Sequence, residues 1–270
     1  MRVNDWLSQA TEKLVHAGIG TARLDALVLL EDVSGRDRAW LLAHPEYELS
    51  SGESAELKKL LIRRAEHVPL AYVRGHTEFY GREFIITPAV LEPRPESETM
   101  IDCLKKLPDL PNQVRIADVG AGSGALGITA KLELPEARVE LLEIDPEALK
   151  IAQKNVDKCT MNAIALRSDL LTTSRQTNDV LLCNLPYVPD KHKINQAAAQ
   201  EPGIAIFGGP DGLDVYRRLF NQVKKLQSKP LFILTESLPP QHDGLTRIAT
   251  EGGYRLTAVD DFIQVFQLSA

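Results

Sequence analysis

The stretch Val114-Arg115-Ile116-Ala117-Asp118-Val119-Gly120-Ala121-Gly122-Ser123-Gly124-Ala125 begins as a short apolar run, breaks into three glycines within five positions, and resumes with helical periodicity. A strand that turns into a helix through glycines can bend sharply and approach a ligand with no side chain in the way, in the crevice beyond the strand's carboxyl end. The loop therefore predicts a nucleotide-like ligand. With Ala125 the stretch also satisfies G-x-G-x-x-A, so dinucleotide binding stays open, as does a purely structural turn.

Working outward, strand-like runs recur at 139–144, 164–167, 180–183 and 231–235, after the first at 114–119. Helical patterns fall between most of them, at 124–134, 146–158 and 215–227, and this alternation predicts a parallel sheet with helices on both faces. A helix over 96–106 opens with acidic residues in its first turn, where the helix dipole favours them. Residues 76–93 carry Phe79, Tyr80, Phe84, Ile85 and Ile86 around Gly81, the composition of a hairpin connector. Residues 1–75 place Trp6, Leu7, Ala10, Leu14, Leu27, Leu30, Leu57 and Leu61 at helical spacing between glycine breaks, which predicts a small helical bundle. The predicted organisation is thus 1–75, 76–93 and 94–270.

The 270 residues are 44% hydrophobic and 25% charged, which excludes a disordered or collagen-like chain. A net charge of −6 lacks the basic footprint of a nucleic-acid or anionic-membrane binder. Cys103, Cys159 and Cys183 are too scattered for a metal or disulfide framework and read as small core residues in a reducing compartment. No metal is expected. With no signal-like start and no long uncharged apolar run, a cytosolic location is expected.

The second strand ends in Glu143, and a carboxylate there can accept both ribose hydroxyls of an adenosine. Asp145 before Pro146 reads instead as a helix N-cap. Asp169, after the third strand, is either an acceptor for an adenine amine or a solvated turn residue. Asn184-Leu185-Pro186-Tyr187 follows the fourth strand.

In this order the motifs resemble those of class I methyltransferases that use S-adenosylmethionine and act on a planar nitrogen: a Rossmann-like α/β fold with a seven-stranded, mostly parallel sheet. Such a nitrogen is a poor nucleophile because its lone pair is delocalised. The Asn184 side-chain oxygen and the Leu185 carbonyl can accept its two N–H groups, while Tyr187 packs on the planar group. Pro186 shapes the turn. A dehydrogenase would need hydride-site groups, and no His/Asp or Tyr/Lys pair supplies them.

Pro69-Leu70-Ala71-Tyr72, Arg74-Gly75, Glu78 to Gly81, Pro93-Arg94-Pro95-Glu96-Ser97-Glu98, Glu201-Pro202 and Gly208 to Leu213 are similar to signatures of the release factor glutamine methyltransferases (the HemK/PrmC family). The resemblance spans nearly the whole chain. It implies methylation of the side-chain amide of the glutamine in the Gly-Gly-Gln motif of peptide chain release factors. It further implies that Asp118 and Gly120, Ala121, Gly122, Ser123 and Gly124 hold the methionine part of the cofactor, Glu143 the ribose, and Asp169 with Leu170 the adenine. Asn184, which also borders the cofactor, would grip the glutamine with Leu185, Pro186 and Tyr187. Arg94, with Glu98 in the same signature, would assist substrate binding, form a structural ion pair or serve the start of the following helix. The helical domain would dock the release factor. A monomer acting without direct nucleic-acid contact is the expectation.

Three departures stand out. The family usually has proline at Leu185, and Asn-Leu-Pro-Tyr occurs in ribosomal RNA adenine dimethyltransferases, the alternative reading. Glu143 replaces the commoner aspartate. The end of the chain, Asp260 to Val265, lacks the expected basic, glycine-containing turn.

Overall fold

The computed structural model describes residues 1–159 and 161–269. They divide into two compact units: Met1–His76 with Asn195–Gln200, and Thr77–Ile194 with Glu201–Ala270.

The smaller unit contains α1 (Val3–His16), α2 (Ala22–Ser34), α3 (Arg38–Ala43), α4 (Ser51–Ala65) and α5 (Leu70–Arg74). One apolar stripe from each of α1, α2 and α4 builds its core, with Trp6, Leu14, Leu30 and Leu57 buried together. Ser50 and Glu53 close a reciprocal capping box that starts α4. A buried charged pair is formed by Arg64 Nε donating to Asp25 Oδ2 at 2.7 Å, both side chains almost fully covered. It cross-links α4 to α2.

In the larger unit, β1 (His76–Phe79) and β2 (Arg82–Ile85) form a hairpin. Its turn residues, Tyr80 and Gly81, both have positive φ, the signature of a type I′ turn matched to strand twist. Then come α6 (Glu98–Lys105), β3 (Arg115–Val119), α7 (Ala125–Glu133), β4 (Arg138–Glu143), α8 (Pro146–Lys158), β5 (Ile164–Arg167), β6 (Val180–Cys183), α9 (Asp214–Val223), β7 (Phe232–Glu236), α10 (His242–Glu251), β8 (Tyr254–Asp260) and β9 (Ile263–Leu268). The hairpin is no free connector. Asn155 of α8 accepts from Ile85 N at 2.7 Å and donates back to Ile85 O, so the hairpin is sewn into the larger unit.

The seven-stranded sheet runs β5-β4-β3-β6-β7-β9-β8. The first five strands pair in parallel; β9 pairs antiparallel to both β7 and β8. Chain direction across the sheet reverses at β3, so the crevice beyond the carboxyl ends of β3 and β6 is the topological switch point. In α9, Tyr216, Leu219, Phe220 and Val223 lie on one face and join the core that covers the sheet. The β8–β9 turn has Asp261 at φ 51°, an aspartate in the left-handed conformation that a glycine was expected to supply. Cys103 and Cys183 are buried, but Cys159 caps the end of α8 and is only half-buried, against the expectation of a core residue. Among the described residues no helix is long and apolar enough to cross a membrane.

Candidate active site

A cavity opens at the switch point, entirely within the larger unit. Its wall includes Asp118, Gly120, Ala121, Gly122 and Ser123 after β3, Glu143 after β4, Asp169 and Leu170 after β5, and Asn184, Leu185 and Pro186 after β6. Four separate segments of sequence are thereby brought to one place.

The loop after β3 is shaped by left-handed glycines, with Gly120 at φ 73° and Gly122 at φ 55°. A Cβ at Gly122 would meet no atom within 4 Å, so a side chain there would intrude on the open cradle. Gly120 is glycine for a different reason: its Cβ would stand 2.9 Å from Leu185 Cδ2. Gly124 is not in the cavity wall among the described residues; a Cβ there would press 3.1 Å from both Ile128 and Leu141, so its role is to let α7 pack on β4.

Asp118 is buried, accepts from Gly127 N at 2.8 Å and anchors the start of α7. Burial raises its carboxyl to about 7, and the Glu143 charge adds to the rise. Glu143 accepts from Gly122 N at 2.8 Å through Oε2 and from Asp145 N at 2.9 Å through Oε1. Burial pushes its carboxyl up, against these backbone donors. Asp145 caps α8 as expected, accepting from Glu147 N at 2.7 Å. At the rim, Arg218 Nη2 lies 2.6 Å from both carboxylate oxygens of Asp169, so this residue is neither a lone solvated turn aspartate nor an unshared acceptor. Leu170, at φ 55°, is held by Ser168 Oγ donating to its carbonyl.

Asn184 donates from Nδ2 to Ser97 Oγ at 2.9 Å; Ser97 Oγ donates to Glu236 Oε2 at 2.6 Å; Tyr187 donates from its hydroxyl to Glu236 Oε1 at 2.9 Å. Glu236 is almost wholly buried, and burial raises its carboxyl. Tyr187 packs against the sheet core, outside the cavity wall among the described residues, with its hydroxyl anchored on Glu236. Burial and the Glu236 charge push that phenol far above its ordinary value.

Arg94 is likewise outside the wall among the described residues; it pairs with Glu201, whose side chain is 1% exposed, and Glu201 Oε1 also accepts from Glu92 N at 3.3 Å. The ion-pair alternative for Arg94 is thus present in the structure. Glu98 accepts from Tyr80 N at 2.6 Å and holds the hairpin turn. The glycines of 208–212 support the Asn184 loop: a Cβ at Gly208 would lie 2.3 Å from Pro186 O, and one at Gly212 2.0 Å from Tyr187 O. Gln241 Nε2 donates to that same Tyr187 carbonyl at 2.7 Å.

Sequence reasoning missed Ser97 and Glu236 as site residues. Ser97 sat in a quoted signature without a role. Glu236 had one available signal, a carboxylate at the carboxyl end of the parallel strand next to the one carrying Asn184.

The donor set fits S-adenosylmethionine. Glu143 offers a buried carboxylate to a vicinal diol, Ile144, Ala148, Leu170 and Val215 offer apolar faces to an aromatic base, and the open glycine loop leaves space for a backbone-like tail. The fold and this site define a class I S-adenosylmethionine-dependent methyltransferase. Residues 5–75 match the family described as PrmC N-terminal domain, and residues 95–201 match the methyltransferase small domain. The chain is 38% identical over 231 residues to the release factor glutamine methyltransferase of Koribacter versatilis, covering 83% of this chain and 81% of that protein. It is also 38% identical over 224 residues to its counterpart from Moorella thermoacetica, covering 81% and 79%. The Thermus thermophilus 16S rRNA N2 G1207 methyltransferase, solved with AdoMet and guanosine, shares the fold at TM-score 0.52 and 20% identity, over 72% of this chain and 50% of that one. The chain belongs to the release factor glutamine methyltransferase family.

Proposed function

We propose that this enzyme transfers a methyl group from S-adenosylmethionine to the side-chain amide nitrogen (N5) of the glutamine in the Gly-Gly-Gln motif of a peptide chain release factor, in support of translation termination. The observation that carries the reading is Asn184 in the same cavity wall as Glu143 and the glycine loop, with its Nδ2 committed to Ser97. Its Oδ1 is then the atom the amide has to offer, and it accepts one N–H of the glutamine amide while the Leu185 carbonyl accepts the other. These acceptors hold the nitrogen and draw density onto it. Glu143 takes the ribose, Asp118 and the loop 120–123 bound the methionine end, and Leu170 flanks the base. When bound, the cofactor supplies a methyl on a positively charged sulfur. No strong base is needed at the start, because the amide proton becomes acidic only as the new bond forms.

The helical domain, 1–75, docks the release factor on this reading, and the enzyme acts in the cytoplasm where that factor works. The RNA adenine alternative has only Leu185 in its favour, and the net charge of −6 opposes an RNA-docking face. The test is methyl transfer from labelled S-adenosylmethionine with intact release factor, its Gly-Gly-Ala variant and ribosomal RNA offered in parallel. Label on the intact factor alone supports the proposal; label on RNA alone overturns it.

A further inference from the structure

An asparagine amide can turn over by half a revolution at little steric cost, because its oxygen and nitrogen ends are nearly the same size. For Asn184 the two orientations are chemically opposite. One presents an acceptor to an incoming N–H; the other presents a donor to a donor, losing the hydrogen bond and adding repulsion.

The residues behind Asn184 remove this ambiguity. Glu236 receives hydrogen bonds on both carboxylate oxygens, from Ser97 Oγ and from Tyr187 Oη, and the Asn184 side chain also donates toward it. The single Ser97 proton is therefore spent on Glu236, and Ser97 Oγ is left only with lone pairs toward Asn184. A pure acceptor at 2.9 Å demands the NH₂ end of the asparagine amide. The chain is also stiff: Ser97 is 2% exposed, Glu236 1%, and Tyr216 Oη braces the Glu236 backbone by donating to its carbonyl at 2.6 Å.

We infer that Ser97 and Glu236 are positioning residues for methyl transfer, together fixing, as two acceptors on its NH₂ end, which end of the Asn184 amide faces the substrate. The inference rests on the reading that Asn184 receives an amide N–H. Ser97 reaches the cavity wall but spends its proton on Glu236, and Glu236 lies behind that wall among the described residues. Their effect passes through Asn184, so it belongs to turnover and not to cofactor affinity.

The experiment is a double-mutant cycle on the full-length enzyme with intact release factor, reading kcat, KM and the S-adenosylmethionine Kd for wild type, Ser97→Ala, Ser97→Thr, Asn184→Ala, the Ser97→Ala/Asn184→Ala double variant and Glu236→Gln. Ser97→Ala is expected to lose about tenfold or more in kcat with cofactor Kd changed by less than about twofold, and Ser97→Thr, which keeps the hydroxyl, to recover most of the loss. In the Asn184→Ala background Ser97→Ala should cost nothing further, since the group it orients is gone. Glu236→Gln introduces an N–H where only acceptors stood and should lower kcat in the same way; it carries the test if Ser97→Ala does not fold. Additive losses in the double variant, or wild-type kcat in both Ser97→Ala and Glu236→Gln, overturn the inference. Label on the Gly-Gly-Ala factor with the wild-type enzyme would instead overturn the substrate reading itself, which separates the two failures.

Discussion

Gly120 and Leu185 fit together across neighbouring loops: a Cβ on Gly120 would stand 2.9 Å from Leu185 Cδ2, and Leu185 is 2% exposed. The leucine that departs from the usual family pattern is therefore seated in space that only a glycine leaves. Gly120→Ala should suffer twice, from this overlap and from its φ of 73°. In a Leu185→Ala background the overlap disappears and only the backbone strain remains, about 1–2 kcal/mol. Leu185→Ala alone should cost about 2–5 kcal/mol. Urea denaturation of the four proteins reads the coupling; strictly additive losses would show that the two residues do not share this space.

Removing the Glu143 carboxylate should weaken S-adenosylmethionine binding about 10- to 100-fold, the worth of charge-assisted bonds to two hydroxyls, and leave kcat at saturating cofactor within a few-fold. Titration calorimetry on Glu143→Ala measures it. An unchanged Kd would mean that another carboxylate holds the ribose.

Asp118 gives the apo-enzyme a specific pH signature. Burial raises its carboxyl to about 7 in the folded chain, above the ordinary aspartate range, so the folded state binds that proton more tightly than the unfolded state. Its contribution to stability is complete below the ordinary aspartate range and is lost as pH rises through about 7. Asp118→Asn removes the titration. The difference in Tm between variant and wild type should move in the variant's favour by on the order of a few degrees between pH 5 and pH 8. A difference that stays constant across that range would place the titration elsewhere.

Arg94→Ala leaves the Glu201 carboxylate, 1% exposed, without its cation. The expected loss is about 1–2 kcal/mol, discounted from a fully buried pair because Arg94 is 37% exposed. Glu201→Gln in the same background should return part of it. If instead KM for the release factor rises while the denaturation midpoint stays put, Arg94 belongs to substrate binding.

The parts of the site legible in the sequence were those whose cause is local. Three glycines between a strand and a helix, Asp145 before Pro146, and Asn184 directly after an apolar strand each advertise their geometry within a few residues. The illegible parts are made by closure in space. Ser97 and Glu236 meet across 139 positions, Arg94 and Glu201 across 107, and Asp169 and Arg218 across 49. Nothing near any of these residues announces a partner. Tyr187 shows the remaining limit: its place after Pro186 was plain, but which way its hydroxyl went depended on a carboxylate from a different strand.

The strand order separates two kinds of change. β3 delivers the glycine loop and β6 delivers Asn184, and these strands are hydrogen-bonded neighbours with Asp118 opposite Leu182. Adjacent strands keep a spacing of about 4.8 Å whatever their loops contain. The gap between donor and acceptor groups is thus ruled by backbone, a yardstick that side-chain drift cannot stretch. A change of side chain at the rim, or beside Asn184, leaves that backbone spacing as it is.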